Sequence, residues 1–342
     1  QIQVYFQEEI TPLIHQAIEL DTQEPISSEQ LIAFSQVLEE ELEKLNQDIE
    51  ETPVKGKDER KTQRRKLKKV LRKVKDDFSV RAEKYESYQE TFEGRNSFSK
   101  TDTDATFMRM KEDHMKNGQL KAAYNLQIAT ENQFVLHYDV FSNPTDTKTL
   151  LPLLETYPHD IKTVVADAGY GSEENLLRLD EKQVNHLIKY AMFDKEQKRG
   201  YKHSAKNLAN WHYNDKEDSY THPDGWYYRF HHTKHQKTQT DFQQEIKVYY
   251  ADEPKSAPQK GLYMNERYQD LKMKECQALL SPQGRQIFAQ RKIDVEPVFG
   301  QIKACLGYKR CNLRGKRQVR IDMGLVLMAN NLLKYNKRTT QN

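Results

Sequence analysis

Two carboxylates stand out in the sequence because of where they lie. Asp167 directly follows the mostly apolar run 161–166, which is typical of a buried strand. The carboxyl ends of such strands are where open α/β sheets place their active sites. Gly169 and Gly171 then allow the backbone to turn sharply into the next helix. Asp167 is therefore a candidate catalytic or metal-binding group, and the alternative is that it only caps or turns the chain.

The second carboxylate is Glu296, in the segment 291–300. If this segment is helical, Lys292 and Lys303 share a face with Glu296. A carboxylate flanked by lysines can hold a metal ion while the lysines contact phosphate; the alternative is a set of solvent-exposed ion pairs. Pro297 either kinks the helix or begins a new one.

The elements around these carboxylates predict an α/β core. Apolar and β-branched runs predict strands, and helical periodicity or an N-cap predicts helices between them. In chain order these are the strands 123–130 and 134–141, a helix over 150–157, the strand 161–166, a helix capped by Ser172 and the strand 186–190. An apolar helix over 323–335 is expected to close the core.

Two further regions differ from this core. Residues 29–50 and 67–92 have apolar side chains at helical spacing, and the short connection between them predicts an antiparallel helical hairpin. Residues 195–260 are rich in Tyr, His and Lys and predict an antiparallel β insertion. The aromatic residues Trp211, Trp226 and Tyr227 are interpreted as the core of the insertion, with stacking on unpaired bases as the alternative.

Composition excludes several classes of protein. The chain has 342 residues, and no apolar run approaches the ~18 residues of a membrane-spanning helix. Its three cysteines form neither a disulfide framework nor a C-x-x-C pair, which favours a reducing, cytoplasmic setting.

Charge is unevenly distributed although the net charge is only +3. Residues 1–53 are strongly acidic, whereas 55–77 and 301–342 are strongly basic. The first basic stretch either faces the acidic helix across the hairpin or contacts DNA, and both interpretations stay open. The second stretch has Asp322 as its one acidic residue, and we expect it to contact a polyanion.

Several motifs, in the same order along the chain, resemble the bacterial insertion-sequence transposases with a DDE triad. The resemblance covers essentially the whole chain and is strongest over 96–192 and 285–336. The segments that carry it are 165–171 (Val-Ala-Asp-Ala-Gly-Tyr-Gly), 291–300 (Arg-Lys-Ile-Asp-Val-Glu-Pro-Val-Phe-Gly), 107–130, 143–147 and 313–316.

This resemblance implies a fold, an activity and a site. The fold is a ribonuclease H-like core, in which two Asp and one Glu hold two divalent ions, Mg²⁺ or Mn²⁺, for cleavage and strand transfer of DNA. Asp167 matches the second acid and Glu296 the third. Lys303 matches the lysine of the signature around the glutamate, and Lys292 falls at the offset of its arginine. The residues expected to contact DNA are Lys292, Lys303, Lys309, Arg310, Arg314, Lys316 and Arg317.

The resemblance also implies how the chain is divided and what it binds. The expected parts are a helical insertion (1–94), the first part of the catalytic core (95–194), the β-rich insertion (195–280) and the C-terminal part of the core (281–342). The expected partners are double-stranded DNA, at transposon ends and target, and a second copy of the chain. The expected location is the bacterial cytoplasm, at the nucleoid.

The chain departs from the family pattern at the first aspartate. In relatives that residue lies on the first core strand, upstream of the helical insertion, and no Asp-Gly-Thr stretch precedes the insertion here. We therefore expect a C-terminal portion of a longer transposase that is inactive alone. The alternatives for the missing ligand are Asp102, Asp104, Asp139 and Asp146.

Zinc is not expected, because the segment 249–263 lacks the cysteine cluster of many relatives. His231, His232 and His235 are interpreted as surface residues, with metal coordination as the alternative. Two other functions compete with transposition: a non-catalytic DNA-binding or dimerising remnant, and a metal-dependent nuclease.

Overall fold

The computed structural model describes residues 26–54, 56–110, 117–254 and 256–340. The chain divides into two compact units, with the boundary after Asn96. The first 25 residues of the predicted helical part lie outside the described residues.

The first unit is helical. It consists of α1 (Ser28–Glu51), α2 (Glu59–Arg72), a π-helical stretch (Lys73–Ser79) and α3 (Val80–Phe92). A capping box begins α1, because the Ser27 side chain accepts from the Gln30 N–H while the Gln30 side chain accepts from the Ser27 N–H.

The two arms of this unit run antiparallel, which confirms the predicted hairpin. Ser28 near the start of α1 pairs with Glu86 in α3, whereas Glu39, later in α1, pairs with the earlier residue Lys75. Residue numbers therefore increase in opposite directions along the two arms. The buried core between them consists of Leu31, Phe34, Leu38, Leu67, Val70, Val74, Phe78 and Ala82.

The second unit mixes helices with several small sheets. Its first six strands form three pairs. These are β1 (Thr106–Arg109) with β2 (Leu120–Ala123), β3 (Asn125–Glu131) with β4 (Phe134–Phe141), and β5 (Thr163–Ala166) with β6 (Asn185–Ile188). The first two pairs are antiparallel and the third is parallel.

In the described part of this unit, seven α-helices accompany these strands. They are α4 (Leu150–Glu155), α5 (Glu173–Glu181), α6 (Phe193–Glu196), α7 (Arg199–Lys202), α8 (Glu266–Leu280), α9 (Pro282–Gly300) and α10 (Lys316–Thr340). Ser172 caps α5 by accepting from the Asn175 N–H, as predicted. Helix α5 is the crossover between the parallel strands β5 and β6, and it buries Leu176 and Leu179 against Ile188.

Helix α10 closes the core over β3 and β4, as the apolar run 323–335 predicts. Met323 and Leu327 of α10 pack with Val298 of α9 and Val135 of β4. Asn331 fixes the register, because its side chain accepts from the Val135 N–H at 2.9 Å and donates to the Val135 carbonyl at 2.8 Å.

The aromatic region forms an antiparallel five-stranded sheet of its own, as predicted. Its order is β11-β10-β9-β8-β7, with β7 (His212–Asn214), β8 (Ser219–Thr221), β9 (Tyr227–Lys237), β10 (Gln243–Ala251) and β11 (Gly261–Met264). Trp211 and Trp226 pack there against the fully buried Tyr228 and Tyr249.

The predicted α/β class is thus confirmed, but a continuous ribonuclease H-like sheet is not seen. Among the described residues β3 pairs with β4 alone and β5 with β6 alone, so the two pairs remain separate sheets. The predicted boundaries within the second unit stay predictions. In the described part of the chain, no helix has the length and apolar character needed to cross a membrane.

Candidate active site and nucleic-acid interface

Asp167 lies immediately after β5, where the sequence predicts the site. Its Oδ1 accepts the Gly169 N–H at 3.0 Å and begins the turn that leads into α5. The turn requires glycine at position 171, because an added Cβ there would lie 2.2 Å from the backbone oxygen of Lys189. The backbone of Lys189, directly after β6, therefore packs closely against this turn and restricts its conformation.

Arg291 is the residue of α9 that reaches Asp167. Its Nη2 donates to Asp167 Oδ2 at 2.8 Å, with the arginine side chain 17% exposed and the aspartate 48% exposed. The guanidinium therefore anchors one oxygen of the carboxylate and leaves the group open to solvent. The sequence drew attention to the segment 291–300 but did not single out Arg291 for this contact.

Asp146 lies beside Asp167. One oxygen of each carboxylate falls about 3 Å from the point that a Cβ on Gly169 would occupy, at 3.0 Å for Asp146 Oδ2 and 3.1 Å for Asp167 Oδ1. The other oxygen of Asp146 accepts from the side-chain amides of Asn125 at 2.8 Å and Gln127 at 2.9 Å. Asp146 is one of the four aspartates that the sequence offers as alternatives for the missing first acid.

Three hydrogen bonds hold the turns of these aspartates together. Asn175 of α5 donates to the carbonyls of Thr147 and Tyr170, each at 2.9 Å. The Thr147 hydroxyl donates to the Gly169 carbonyl at 3.0 Å. Since Asn175 is 2% exposed, this link is protected from water, and the spacing of the two carboxylates is built into the fold.

Tyr170 lies beside Asp146 and Asp167. Its hydroxyl donates to the side-chain carbonyl of Gln127. Burial raises the pKa of Tyr170, and the negative charges of Asp146 and Asp167 raise that pKa further. The phenol is therefore neutral at physiological pH and acts as a hydrogen-bond donor that orients Gln127.

The other three alternative aspartates have structural partners. Asp102 accepts from the Tyr124 hydroxyl and the Gly315 N–H, and Asp104 accepts from the Lys316 N–H, so both bind the N-terminal end of α10. Asp139 pairs with Arg320 at 3.2 Å. Of the four aspartates, Asp146 is the one whose contacts lead to Asp167.

Glu296 lies near the end of α9 and is exposed. The helix continues through Pro297 to Gly300. Glu296 lies five positions after Arg291, which places the two residues about 140° apart around the helix axis. Glu296 has no hydrogen-bond or ion-pair partner among the residues that the structure describes. Its predicted convergence with Asp167 on a common metal stays a prediction.

The described side chains do not assemble a complete site for divalent ions. No three His, Cys, Asp or Glu residues form a group that could hold a metal within the described ranges. Asp167 is engaged by a guanidinium, and Asp146 accepts two amide donors. A further acidic ligand or a rearrangement of α9 is needed before these carboxylates fit an ion. His231, His232 and His235 lie exposed on β9.

The predicted DNA-contacting residues are all exposed. They lie on α9, in the segment that follows it and in the first turn of α10, and they are Lys292, Lys303, Lys309, Arg310, Arg314, Lys316 and Arg317. Asp322, the one acidic residue of this region, accepts from the Tyr308 hydroxyl at 2.7 Å. From outside this region, Asp139 pairs with Arg320 at 3.2 Å, and Asp102 and Asp104 accept backbone N–H groups at the start of α10. Basic side chains still outnumber acidic ones in the segment 301–342.

The β insertion is tied through Glu173 to α5, the helix that follows Asp167. This carboxylate is 2% exposed and accepts from Arg267 Nε at 2.6 Å, Asn265 Nδ2 at 2.6 Å and Gln244 Nε2 at 2.8 Å. Next to it, Glu174 accepts from the Thr240 hydroxyl at 2.5 Å. The five-stranded sheet is thus anchored six residues after Asp167.

The chain matches a known protein family over most of its length. Residues 96–332 match a family model described as a transposase DDE domain. Neither the curated proteins nor the solved structures gave a significant match.

Proposed function

We propose, since the chain belongs to the transposase DDE-domain family, that it carries out cleavage and strand transfer of DNA for an insertion sequence. The family is a family of enzymes that act on DNA, and the matched span 96–332 includes Asp167, Arg291 and Glu296. The observation that carries the proposal is the position of Asp167 at the carboxyl end of β5, beside Asp146.

The proposed catalytic acids are Asp167 and Glu296, matched to the second and third acids of the family. Members of the family generally use divalent metal ions, and Mg²⁺ is the ion that we propose, with Mn²⁺ as a substitute. In such sites the ions activate the attacking oxygen and stabilise the leaving one. The role of this chain's residues is to hold the two carboxylate turns in register through Asn175 and Thr147.

We further propose that a strand absent from the described structure completes the sheet between β3 and β5. Each of these strands has one unpaired edge among the described residues. The Gln127–Tyr170 hydrogen bond brings β3 near the end of β5, and α9 packs against both sheets. A strand in this position, carrying the first acid of the family, would lie next to Asp167. The chain would then have little activity without it.

The proposed DNA contacts are the exposed cations of the C-terminal region, from Lys292 to Arg317. In DNA complexes such residues neutralise phosphates and displace counterions, so binding should weaken steeply as salt increases. The proposed site of action is the DNA of the bacterial cytoplasm.

The proposed assembly is a homodimer. The observation that favours it is an exposed apolar face on α10. Five exposed apolar residues follow a 4-3-4-3 spacing on this helix, namely Ile321, Leu325, Met328, Leu332 and Tyr335. This is the spacing of a two-helix seam. No charged residue occurs between Asp322 and Lys334, although this face is open to solvent. A second copy of the same helix would cover it.

The experiment measures nicking of supercoiled plasmid, and joining of an oligonucleotide 3′-hydroxyl to plasmid, in Mg²⁺ or Mn²⁺. We expect little activity from the chain alone. We expect a gain when a peptide with an Ile-Asp-Gly-Thr-like stretch is added, and loss of that gain in Asp167→Asn. Robust cleavage by the chain alone would refute the proposal that its catalytic site is incomplete. Nicking without joining favours a nuclease, and DNA binding without either favours a non-catalytic remnant.

A further inference from the structure

Helix α2 has an unusual concentration of positive charge. Its 14 residues, Glu59–Arg72, include eight Lys or Arg and one Glu. A helix that only packs in a hairpin needs a few solvated cations, not this excess, because like charges one turn apart destabilise a helix. Charge of this density is usually retained for a polyanionic partner.

The cations on α2 are sorted by face. Leu67 and Val70 point into the hairpin core and are 2% and 4% exposed. At 100° per residue, the opposite side of the helix carries five cations within an arc of about 100°. These five residues, which we call the α2 basic face, are Lys61, Arg65, Lys68, Lys69 and Arg72, and all are exposed.

The acidic helix α1 does not neutralise this face. Across the hairpin, Lys75 pairs with Glu39 at 2.5 Å, and Lys75 lies beyond the end of α2. Arg60 is engaged by Asp58 and by the backbone of Asp48 and Thr52, where it stabilises the connection between the helices. Within the described ranges, no residue of the α2 basic face has an ion-pair partner.

The shape of the face fits a duplex. Lys61 and Arg72 are eleven residues apart, which corresponds to about 16 Å along the helix axis at 1.5 Å per residue. That length spans roughly five base pairs at 3.4 Å each, enough to place several cations near phosphates of one strand. Because the apolar side of α2 is buried in the hairpin, the helix has no apolar face left to insert into a lipid surface.

We infer that the α2 basic face binds the phosphate backbone of double-stranded DNA. This makes the helical unit a second DNA-binding surface, separate from the cations proposed between Lys292 and Arg317. The inference rests on the family's action on DNA and does not depend on the catalytic acids. For the basic stretch 55–77, it assigns the α2 basic face to DNA, whereas Lys75 faces the acidic helix α1.

The test compares two double variants of the full chain that remove the same charge from the same unit. Arg65→Gln/Lys69→Gln removes two cations of the α2 basic face. Lys75→Gln/Arg81→Gln removes two that are already paired, with Glu39 and Asp77. Affinity for a fluorescent duplex of about 30 base pairs is measured by anisotropy over a range of salt concentrations. Circular dichroism confirms that each variant keeps its helices.

The expected result is a change in salt dependence. With about 0.9 counterions released per phosphate contact, the Arg65/Lys69 variant should lower the slope of log affinity against log salt by about 1.8. Its affinity at 0.1 M salt should fall by about tenfold or more. The control variant should change both quantities by less than half as much. A second variant, Lys68→Gln/Arg72→Gln, should reproduce the effect.

Three results would overturn the inference. They are an unchanged slope in both α2 variants, equal losses in test and control, and a wild-type chain that does not bind duplex. Arg314→Gln/Arg317→Gln is measured in parallel. If that variant alone loses affinity, the C-terminal contacts of the proposed function stand and the α2 basic face does not. Plasmid joining then tests the proposed function independently.

Discussion

Replacing Glu173 by Gln should loosen the attachment of the β insertion to α5, the helix that follows Asp167. The glutamate accepts three hydrogen bonds, at 2.6, 2.6 and 2.8 Å, and is 2% exposed. Glutamine keeps the size but replaces one acceptor oxygen by an NH₂ group, which then faces a donor. It also removes the charge that pairs with Arg267 and that lies in the first turn of α5.

The magnitude follows from these contacts. A hydrogen bond to a charged group contributes about 1.5–3 kcal/mol, and an unsatisfied buried donor costs about 1–3 kcal/mol. Because Arg267 is 47% exposed, its ion pair is screened and adds little to this sum. We therefore expect Glu173→Gln to lower the free energy of unfolding of this region by about 2–4 kcal/mol.

The assay uses the two tryptophans of the chain, Trp211 and Trp226, which both pack in the five-stranded sheet. Their fluorescence in a urea titration reports the unfolding of the insertion, and a change in midpoint at constant slope gives the loss. The control is Glu181→Gln on the same helix, which removes an exposed pair with Arg178 and should cost less than about 0.5 kcal/mol. Equal midpoints for the two variants would refute the reasoning.

Three further predictions concern the fold and the assembly. Gly171→Ala should lower the free energy of unfolding by about 1–3 kcal/mol, because the added Cβ would overlap the Lys189 carbonyl. Gly300→Ala is the control: no atom lies within 4 Å of its added Cβ, so this variant should be neutral or stabilising in thermal unfolding. Burial lowers the pKa of His186, but hydrogen bonds to Glu275 and Asp180 outweigh it and raise that pKa above 6.5. The folded state gains stability from this group below pH 6.5 and loses it as pH rises through the raised pKa, so the urea midpoint should fall over that interval in the wild type and stay flatter in His186→Gln. Leu325→Glu/Leu332→Glu should shift sedimentation from dimer to monomer, whereas Gln318→Glu should not; a monomeric wild type would exclude the α10 seam.

Local features of the fold could be predicted because their signals are local. Ser172 precedes the helix that it caps by one residue, and the strand before Asp167 belongs to a mostly apolar, β-branched run. The heptad-like positions of Leu31, Phe34 and Leu38 indicate the hairpin core without reference to the rest of the chain.

The arrangement of the site could not be predicted in the same way, because its partners are distant in sequence. Arg291 lies 124 positions from Asp167, and its contact depends on how α9 crosses β5. Asp146 is 21 positions from Asp167 and is brought there by Asn175, an unremarkable helix residue in the sequence. Glu296 was identified from its spacing to two lysines and from the family motif, and the structure leaves it exposed.

Strands β3 and β5 each have one edge that no other described strand pairs with, and this affects how the protein behaves in concentrated solution. A strand edge that offers free N–H and C=O groups is a template for pairing with any extended chain, including another copy of itself. Strand β5 is only four residues long, which limits the hazard, but β3 is seven residues long and contains Leu126 and Ile128. Aggregation should therefore begin at β3, and a segment that occupies this edge should make the protein easier to concentrate.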